Sequence, residues 1–350
     1  MNILFVINSL LDKAGSERVA CQLANLFHSK LGHHITLVNR FATKDECAFS
    51  ISEQIDYQFL KGNYYIFYKK LQSLIDRNQY DFIIIHNMGK LSLLCSQLRT
   101  KGAKLISLEH VSFSSRPKWV KYSSKVLYRK YDTIITLTDR DKNEYINWHK
   151  NVIKINNITP FSPQNITNSL RENKIIAVGR LTYQKNFISL IKSWEKIHEY
   201  IPEWHLEIYG KGEDEKLLTE YIAQNSIKNV FLKGVSSNIQ EIYQKASFLV
   251  MSSRYEGLPM VLIEAQTFGL PIISFDCPFG PREIVEHQKT GLLVEDQNIT
   301  MLSEAILTLS NNRAQLEEYS KNALILSKQY TVEKILSEWQ NRVLSQNTYS

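Results

Sequence analysis

The stretch SFLVMSSRYEGLPMVLIEAQTFGLPIISF, residues 247–275, decides the fold. It opens on an apolar run, SFLVMS, breaks at the tight turn SRYEG, and continues as PMVLIEAQTFG before a second apolar run, LPIISF. Pro259 suits the first turn of a helix, because the N–H it lacks is one that a helix start leaves unpaired anyway. Gly269 suits the end, where a left-handed residue stops the helix. The stretch therefore predicts strand, turn, helix and parallel strand, the repeating unit of a doubly wound α/β sheet.

The same alternation runs outward in both directions. From Lys174 onward the runs KIIAVG, WHLEIYG, NVFLKG, SFLVMS, LPIISF and GLLVE form one cycle with helical patterns between them. Earlier in the chain NILFVIN, HHITLVN, DFIIIHN, AKLISLE and DTIITLT form another. Between about 156 and 173 the segment NNITPFSPQNITNSLREN has Pro, Asn and Ser without periodicity and reads as a linker. The expected architecture is α/β, two tandem Rossmann-like doubly wound domains facing a cleft. Residues 1–160 form the first domain and 174–325 the second, and a C-terminal helical segment, 326–350, packs back on the first.

Composition agrees with two folded domains. The chain has 350 residues, above the size at which one core usually stops growing, and is 43% hydrophobic and 22% charged. The apolar start, MNILFVINSLL, lacks a basic leader and soon meets Asp12 and Lys13, so it reads as a first strand rather than a signal peptide. No apolar run reaches about 18 residues, so a membrane span is not expected and the cytoplasm is the expected compartment. Cys21, Cys47, Cys95 and Cys277 are widely spaced and read as reduced thiols.

The net charge of +7 conceals an asymmetry. Residues 1–160 hold 23 Lys and Arg against 13 Asp and Glu, a net of +10, and residues 161–350 hold 19 against 22, a net of −3. A basic first half is compatible with nucleic acid, an anionic membrane or an anionic ligand. Within it, SRPKWVKYSSKVLYRKYD, residues 115–132, interleaves Arg116, Lys118, Lys121, Lys125, Arg129 and Lys130 with Trp119, Tyr122, Val126, Leu127 and Tyr128. Such a helix either lies on an anionic membrane surface or is a solvated face over a core stripe.

Ligands of doubly wound sheets sit beyond the carboxyl ends of the strands, so residues just after each run are the candidates. In AVGRLTYQKN, Arg180 follows a strand and Lys185 lies near the next helix start. A guanidinium fork and a compact ammonium make a diphosphate receptor, or else two solvated cations. The N–H groups around Met260 and Val261, at the start of the quoted helix, also suit a phosphate. Glu256 sits in the turn before that helix, either complementing its dipole or facing a ligand. Glu264 interrupts Met260, Val261, Leu262, Ile263 and Ala265, where an unpartnered carboxylate is costly and a ligand with vicinal hydroxyls would satisfy it.

Glu256 and Glu264 with seven residues between them, Gly257, the following LP and the preceding GRLTYQKN together resemble the nucleotide-sugar site of family-4 retaining glycosyltransferases of the glycosyltransferase B fold. The resemblance implies that Arg180 and Lys185 hold the donor diphosphate, Glu264 binds the ribose hydroxyls, and Glu256 lies near the donor sugar. It implies backbone approach to the base by the turn at Tyr209, Gly210 and Lys211 and by Lys233, Gly234 and Val235. Gly15, in KAGSERVA, occupies a place where the family often has two glycines, and this chain has Ala14-Gly15. His110, in ISLEHVSF, is the expected contact to the donor sugar, with His86 in IIIHNMG as second candidate; either is otherwise an ordinary core or surface histidine. Gly280, in FDCPFGPREIV, falls in the family's glycine-rich loop beside the sugar, with Phe279 where a second glycine is common.

The implied reaction is retaining transfer of a hexosyl or N-acetylhexosaminyl unit, from UDP, to a hydroxyl of a growing, lipid-linked bacterial surface glycan such as lipopolysaccharide. No cofactor and no metal are expected, because the cations take the metal's part. The partners are the nucleotide sugar, the glycan acceptor and an anionic membrane surface on the inner face of the cell membrane, with no nucleic acid. Two alternatives stay open: a glycoside hydrolase using the paired carboxylates, and a noncatalytic nucleotide-sugar or nucleic-acid binding protein.

Overall fold

The computed structural model describes residues 1–11, 15–87, 89–164 and 171–347. Asp12, Lys13, Ala14 and residues 165–170 of the expected linker lie outside them. The contacts divide the chain into two compact units: Met1–Ile158 together with the segment from Glu333 onward, and Thr159–Val332.

The first unit holds a seven-stranded, all-parallel sheet: β1 (Asn2–Ile7), β2 (His34–Asn39), β3 (Asp56–Phe59), β4 (Phe82–Asn87), β5 (Lys104–Glu109), β6 (Thr133–Thr136) and β7 (Val152–Lys154). Its order is β3-β2-β1-β4-β5-β6-β7. The interior strands read as unbroken apolar runs because helices cover both faces; Ile83, Ile84 and Ile85 of β4 are all fully buried. The two edge strands break that pattern. β3 (DYQF) and β7 (VIK) carry too few apolar residues to stand out as runs and add two strands to the five legible in this half.

The second unit holds six parallel strands: β8 (Lys174–Val178), β9 (His205–Tyr209), β10 (Val230–Gly234), β11 (Phe248–Met251), β12 (Ile272–Phe275) and β13 (Gly291–Val294). The order is β10-β9-β8-β11-β12-β13. One core cluster includes Trp194, Trp204, Ile208 and Phe248, and another includes Tyr243, Leu262, Ile263 and Phe268.

Each sheet reverses its direction of winding once, between β1 and β4 in the first and between β8 and β11 in the second. At such a switch point the loops leaving the two central strands diverge to opposite faces and open a crevice at the strand ends. Arg180 follows β8, and Glu256 follows β11.

The C-terminal helices part company. Arg313–Ser327 belongs to the second unit, whereas Val332–Arg342 packs in the first, its Trp339 ring edge-on to Phe27 at 5.3 Å between centroids. Burying a side chain of that size contributes roughly 2–3 kcal/mol.

Candidate active site

In the second unit the site is built from two loops knitted across the switch. After β8, the amides of Lys185 and Asn186 both donate to the Thr182 carbonyl, at 3.0 and 3.1 Å. Asn186 then takes a left-handed conformation (φ 52°) before the helix Phe187–Glu195. This turn lays the Lys185 stem across Gly179, where an added Cβ would meet it at 3.1 Å. After β11, the Ser252 hydroxyl donates to the Lys185 carbonyl (3.0 Å), and the Arg254 amide to that of Gln184 (2.8 Å). The two loops are thus fixed to each other before any ligand is considered.

The Lys185 ammonium lies 2.6 Å from Glu256 Oε1, which also accepts from the Ser253 hydroxyl at 2.7 Å. Both side chains of this ion pair are largely buried, 18% and 8% exposed. Removing one partner of such a pair is costly, because the other is left charged in a desolvated place. Arg180 is different. It is exposed, and among the described residues its side chain makes no hydrogen bond or ion pair. Of the two expected cations, one is committed to a carboxylate and the other is uncommitted.

Glu264 lies in the second turn of the helix Met260–Thr267, only 5% exposed, and accepts a 2.9 Å hydrogen bond from the Tyr243 hydroxyl. Tyr243 answers the question of how this carboxylate is tolerated in an apolar helix; it had no signal in the sequence. Met260 and Val261 form the first turn of the same helix, with Pro259 at its N-cap. Gly280 (φ +92°) packs against the turn before that helix: a Cβ there would meet the Gly257 carbonyl oxygen at 2.5 Å and Glu256 Cβ at 3.3 Å. Its neighbour Phe279 has φ +131°, a conformation ordinarily left to glycine. The residue departs from the glycine expected there while its backbone keeps glycine's shape.

Gly210 (φ +147°) serves packing directly. A Cβ would fall 1.8 Å from the Gly179 carbonyl oxygen, and the Gly210 amide donates to Gly234 at 2.8 Å, so the loops after β8, β9 and β10 are stacked backbone to backbone. Val235, just beyond, is exposed. A residue the sequence reading left in the linker, Arg171, is buried and donates to the carbonyls of Ala246 (2.6 Å), Phe268 (2.6 Å) and Gly269 (3.2 Å). It ties together the C-terminal ends of two helices and is a cation stabilised by carbonyl dipoles rather than by a carboxylate. Burial draws it down to about 10.

The first unit supplies a different kind of chemistry. His110 follows β5, and its Nε2 lies 3.1 Å from Nδ1 of His86 on β4; the rings stack at 5.3 Å. Burial holds His110 down at about 4, against the opposing pull of Glu109, and burial followed by the His110 charge holds His86 well below its ordinary value. Both are neutral at pH 7. Glu109 itself is committed: it pairs with the buried Arg116 and accepts from Ser107 and from Tyr145 (3.0 Å). This corrects the surface assignment of Arg116, and Tyr128, also fully buried, receives an Arg116 hydrogen bond at 3.3 Å. Along the helix that follows, Val120 and Ser124 are buried, while the other side is exposed. Trp119, Tyr122 and Val126 recur at helical spacing along Lys118–Leu127, exposed by 55%, 75% and 54%, among Lys118, Lys125 and Arg129. Gly15 is the first residue of the helix Gly15–Ser29 rather than part of a free loop.

Comparison with known proteins bears on this arrangement. Residues 14–157 match the description "Glycosyltransferase Family 4" and residues 159–325 match "Glycosyl transferases group 1". The chain is 32% identical to the amylovoran biosynthesis glycosyltransferase AmsD of Erwinia amylovora, over 96% of its own length and 98% of that protein. It is 26% identical, over 97% of both chains, to a Campylobacter jejuni protein named as a GalNAc-alpha-(1->4)-GalNAc-alpha-(1->3)-diNAcBac-PP-undecaprenol alpha-1,4-N-acetyl-D-galactosaminyltransferase. Among solved structures, Anabaena HepE in complex with UDP superposes with a TM-score of 0.82 at 16% identity, covering 99% of this chain and 100% of that one, a likeness of fold. With two parallel sheets, the switch-point loops and a relative matched end to end, the chain belongs to the family-4 glycosyltransferases of the glycosyltransferase B fold.

Proposed function

We propose that the protein transfers a hexosyl or N-acetylhexosaminyl unit from a UDP-sugar to a hydroxyl of a growing, lipid-linked bacterial glycan, with retention at the anomeric carbon. The observation that carries this reading is the Lys185–Glu256 pair at the switch point of the second sheet, with the exposed Arg180 in the same loop after β8 as Lys185. The Campylobacter relative's name, with its alpha linkage and PP-undecaprenol, supports the stereochemistry and the lipid carrier; the UDP bound to HepE supports the donor.

On this reading Arg180 and Lys185 meet the donor diphosphate, together with the helix start at Met260 and Val261. The bond from the anomeric carbon to the phosphate oxygen breaks, and its electron pair goes to the nucleotide diphosphate, whose growing charge the two cations stabilise. The acceptor oxygen bonds to the same face of the oxocarbenium-like carbon, and its proton passes to the departing phosphate. Glu264 receives the ribose hydroxyls, exchanging its Tyr243 contact for a ligand. Glu256, with Gly257 and Gly280 beside it, lines the sugar, and His110 contacts the donor sugar. Gly210 and Val235 present backbone to the base, and Gly15 brings the start of its helix to a phosphate or to the acceptor.

The exposed stripe of Trp119, Tyr122 and Val126 among cations fits the interface of an anionic bilayer, where aromatic rings sit at headgroup depth and each cation adds about 1 kcal/mol. Among the described residues no helix is long and apolar enough to cross a membrane. Co-sedimentation with anionic but not zwitterionic vesicles, weakened in Trp119→Ala/Tyr122→Ala, is the expected result.

The deciding experiment incubates the protein with UDP-, GDP- and ADP-sugars and follows nucleotide release, with Arg180→Ala as control. Release from a UDP-sugar alone, lost in the variant, is expected; release only from GDP- or ADP-sugars would overturn the donor, and an inverted anomer by NMR would overturn retention.

A further inference from the structure

His86 is fully buried, and among the described residues its Nε2 has no hydrogen-bond partner. The ring is held between Phe5, at 5.2 Å, and His110, at 5.3 Å, and its one polar contact among the described residues is the 3.1 Å approach of Nδ1 to His110 Nε2. Two neutral imidazoles sharing one N–H···N bond have two arrangements. If His110 donates from Nε2, the His86 proton must sit on Nε2, a buried N–H with nothing to receive it. If His86 donates from Nδ1, its Nε2 is a bare lone pair. Buried donors without acceptors are rarer in folded proteins than under-satisfied acceptors, and an unmet polar group costs about 1–3 kcal/mol.

We infer that His86 donates to His110 and thereby fixes His110 as the tautomer carrying its proton on Nδ1. His86 is a positioning residue acting through its neighbour. In the proposed function, on which this consequence rests, His110 offers the donor sugar a hydrogen bond and does not act as the base that takes the acceptor's proton. That leaves the departing phosphate as proton acceptor.

The test labels the histidines with nitrogen-15 and reads the ring nitrogen shifts and long-range proton couplings of His86 and His110 near pH 7. Protonated Nδ1 on both rings is expected; a proton on His110 Nε2 overturns the assignment. In His86→Phe, which keeps the ring and removes the donor, His110 is expected to revert to Nε2–H and kcat to fall about tenfold, with KM changed far less. His86→Asn, whose amide nitrogen takes the place of Nδ1, is expected to restore both readouts. Wild-type kcat in His86→Phe, measured on protein with an unchanged melting temperature, overturns the positioning role. Full turnover by His110→Ala would instead overturn the sugar contact in the proposed function, while the nitrogen shifts still decide the tautomer.

Discussion

The loops after β8 and β11 and those after β4 and β5 all leave the carboxyl ends of interior strands in two parallel sheets of the same design, yet their chemistry is opposite. In the second unit, where charges sum to −3, the strand ends carry the exposed Arg180 and the Lys185–Glu256 pair. In the first unit, where they sum to +10, the strand ends carry two neutral histidines and a sealed Glu109–Arg116 pair. The net charge of a domain therefore says nothing about the charge at its working edge. The first unit's surplus is spread over surfaces such as Lys118–Leu127, and its strand ends are desolvated.

The sharpest way to break this contrast is at the buried charges. Arg116→Met strands Glu109 among Tyr128, Tyr145 and Ser107, and urea denaturation should show a loss of about 3–5 kcal/mol. If the loss is under 1 kcal/mol, the pair is not the sealed element described. Next comes Arg180→Ala, which should lower turnover by roughly two to three orders of magnitude and leave the melting temperature unchanged, since the side chain is exposed and among the described residues makes no hydrogen bond or ion pair. An unchanged rate would move the working charge elsewhere.

Acid provides a third test, with the sign set by the depressed histidines. The unfolded chain takes up histidine protons near pH 6.5 while His110 resists until about 4, so acidification through that window favours unfolding. The stability contributed by neutral His110 is present above pH 6.5 and should fall by about 1.4 kcal/mol per pH unit on the way down. Melting curves of wild type and His110→Phe between pH 7 and 4 should converge; parallel curves would contradict a desolvated imidazole. The smallest effect is expected at Phe279→Gly, which relieves a positive φ and should stabilise the second unit by about 1 kcal/mol.

The six strands of the second unit were legible because each is an apolar run closed by a turn, and Arg180, Lys185, Glu256 and Glu264 were legible because strand ends in such sheets are where ligands bind. What could not be read are the pairings. Lys185 and Glu256 lie 71 positions apart, and their ion pair exists only because β8 and β11 are neighbours. Arg116 looked like one cation among six until the fold paired it with Glu109 at the end of β5. Arg171 stood in a segment without periodicity, and its value lies in three carbonyls from distant helices. β3 and β7 were missed because edge strands need few apolar residues.

The second unit is one unbroken span of chain, whereas the first is assembled from Met1–Ile158 and a returning helix that brings Trp339 to Phe27. On the ribosome this sets an order. The second unit has every residue it needs before the last helix is synthesised, but the first, although made earliest, waits for its closing piece. Until then the face of Phe27 stands open, and the nascent protein's exposure to chaperones and proteases is concentrated in the half that was translated first.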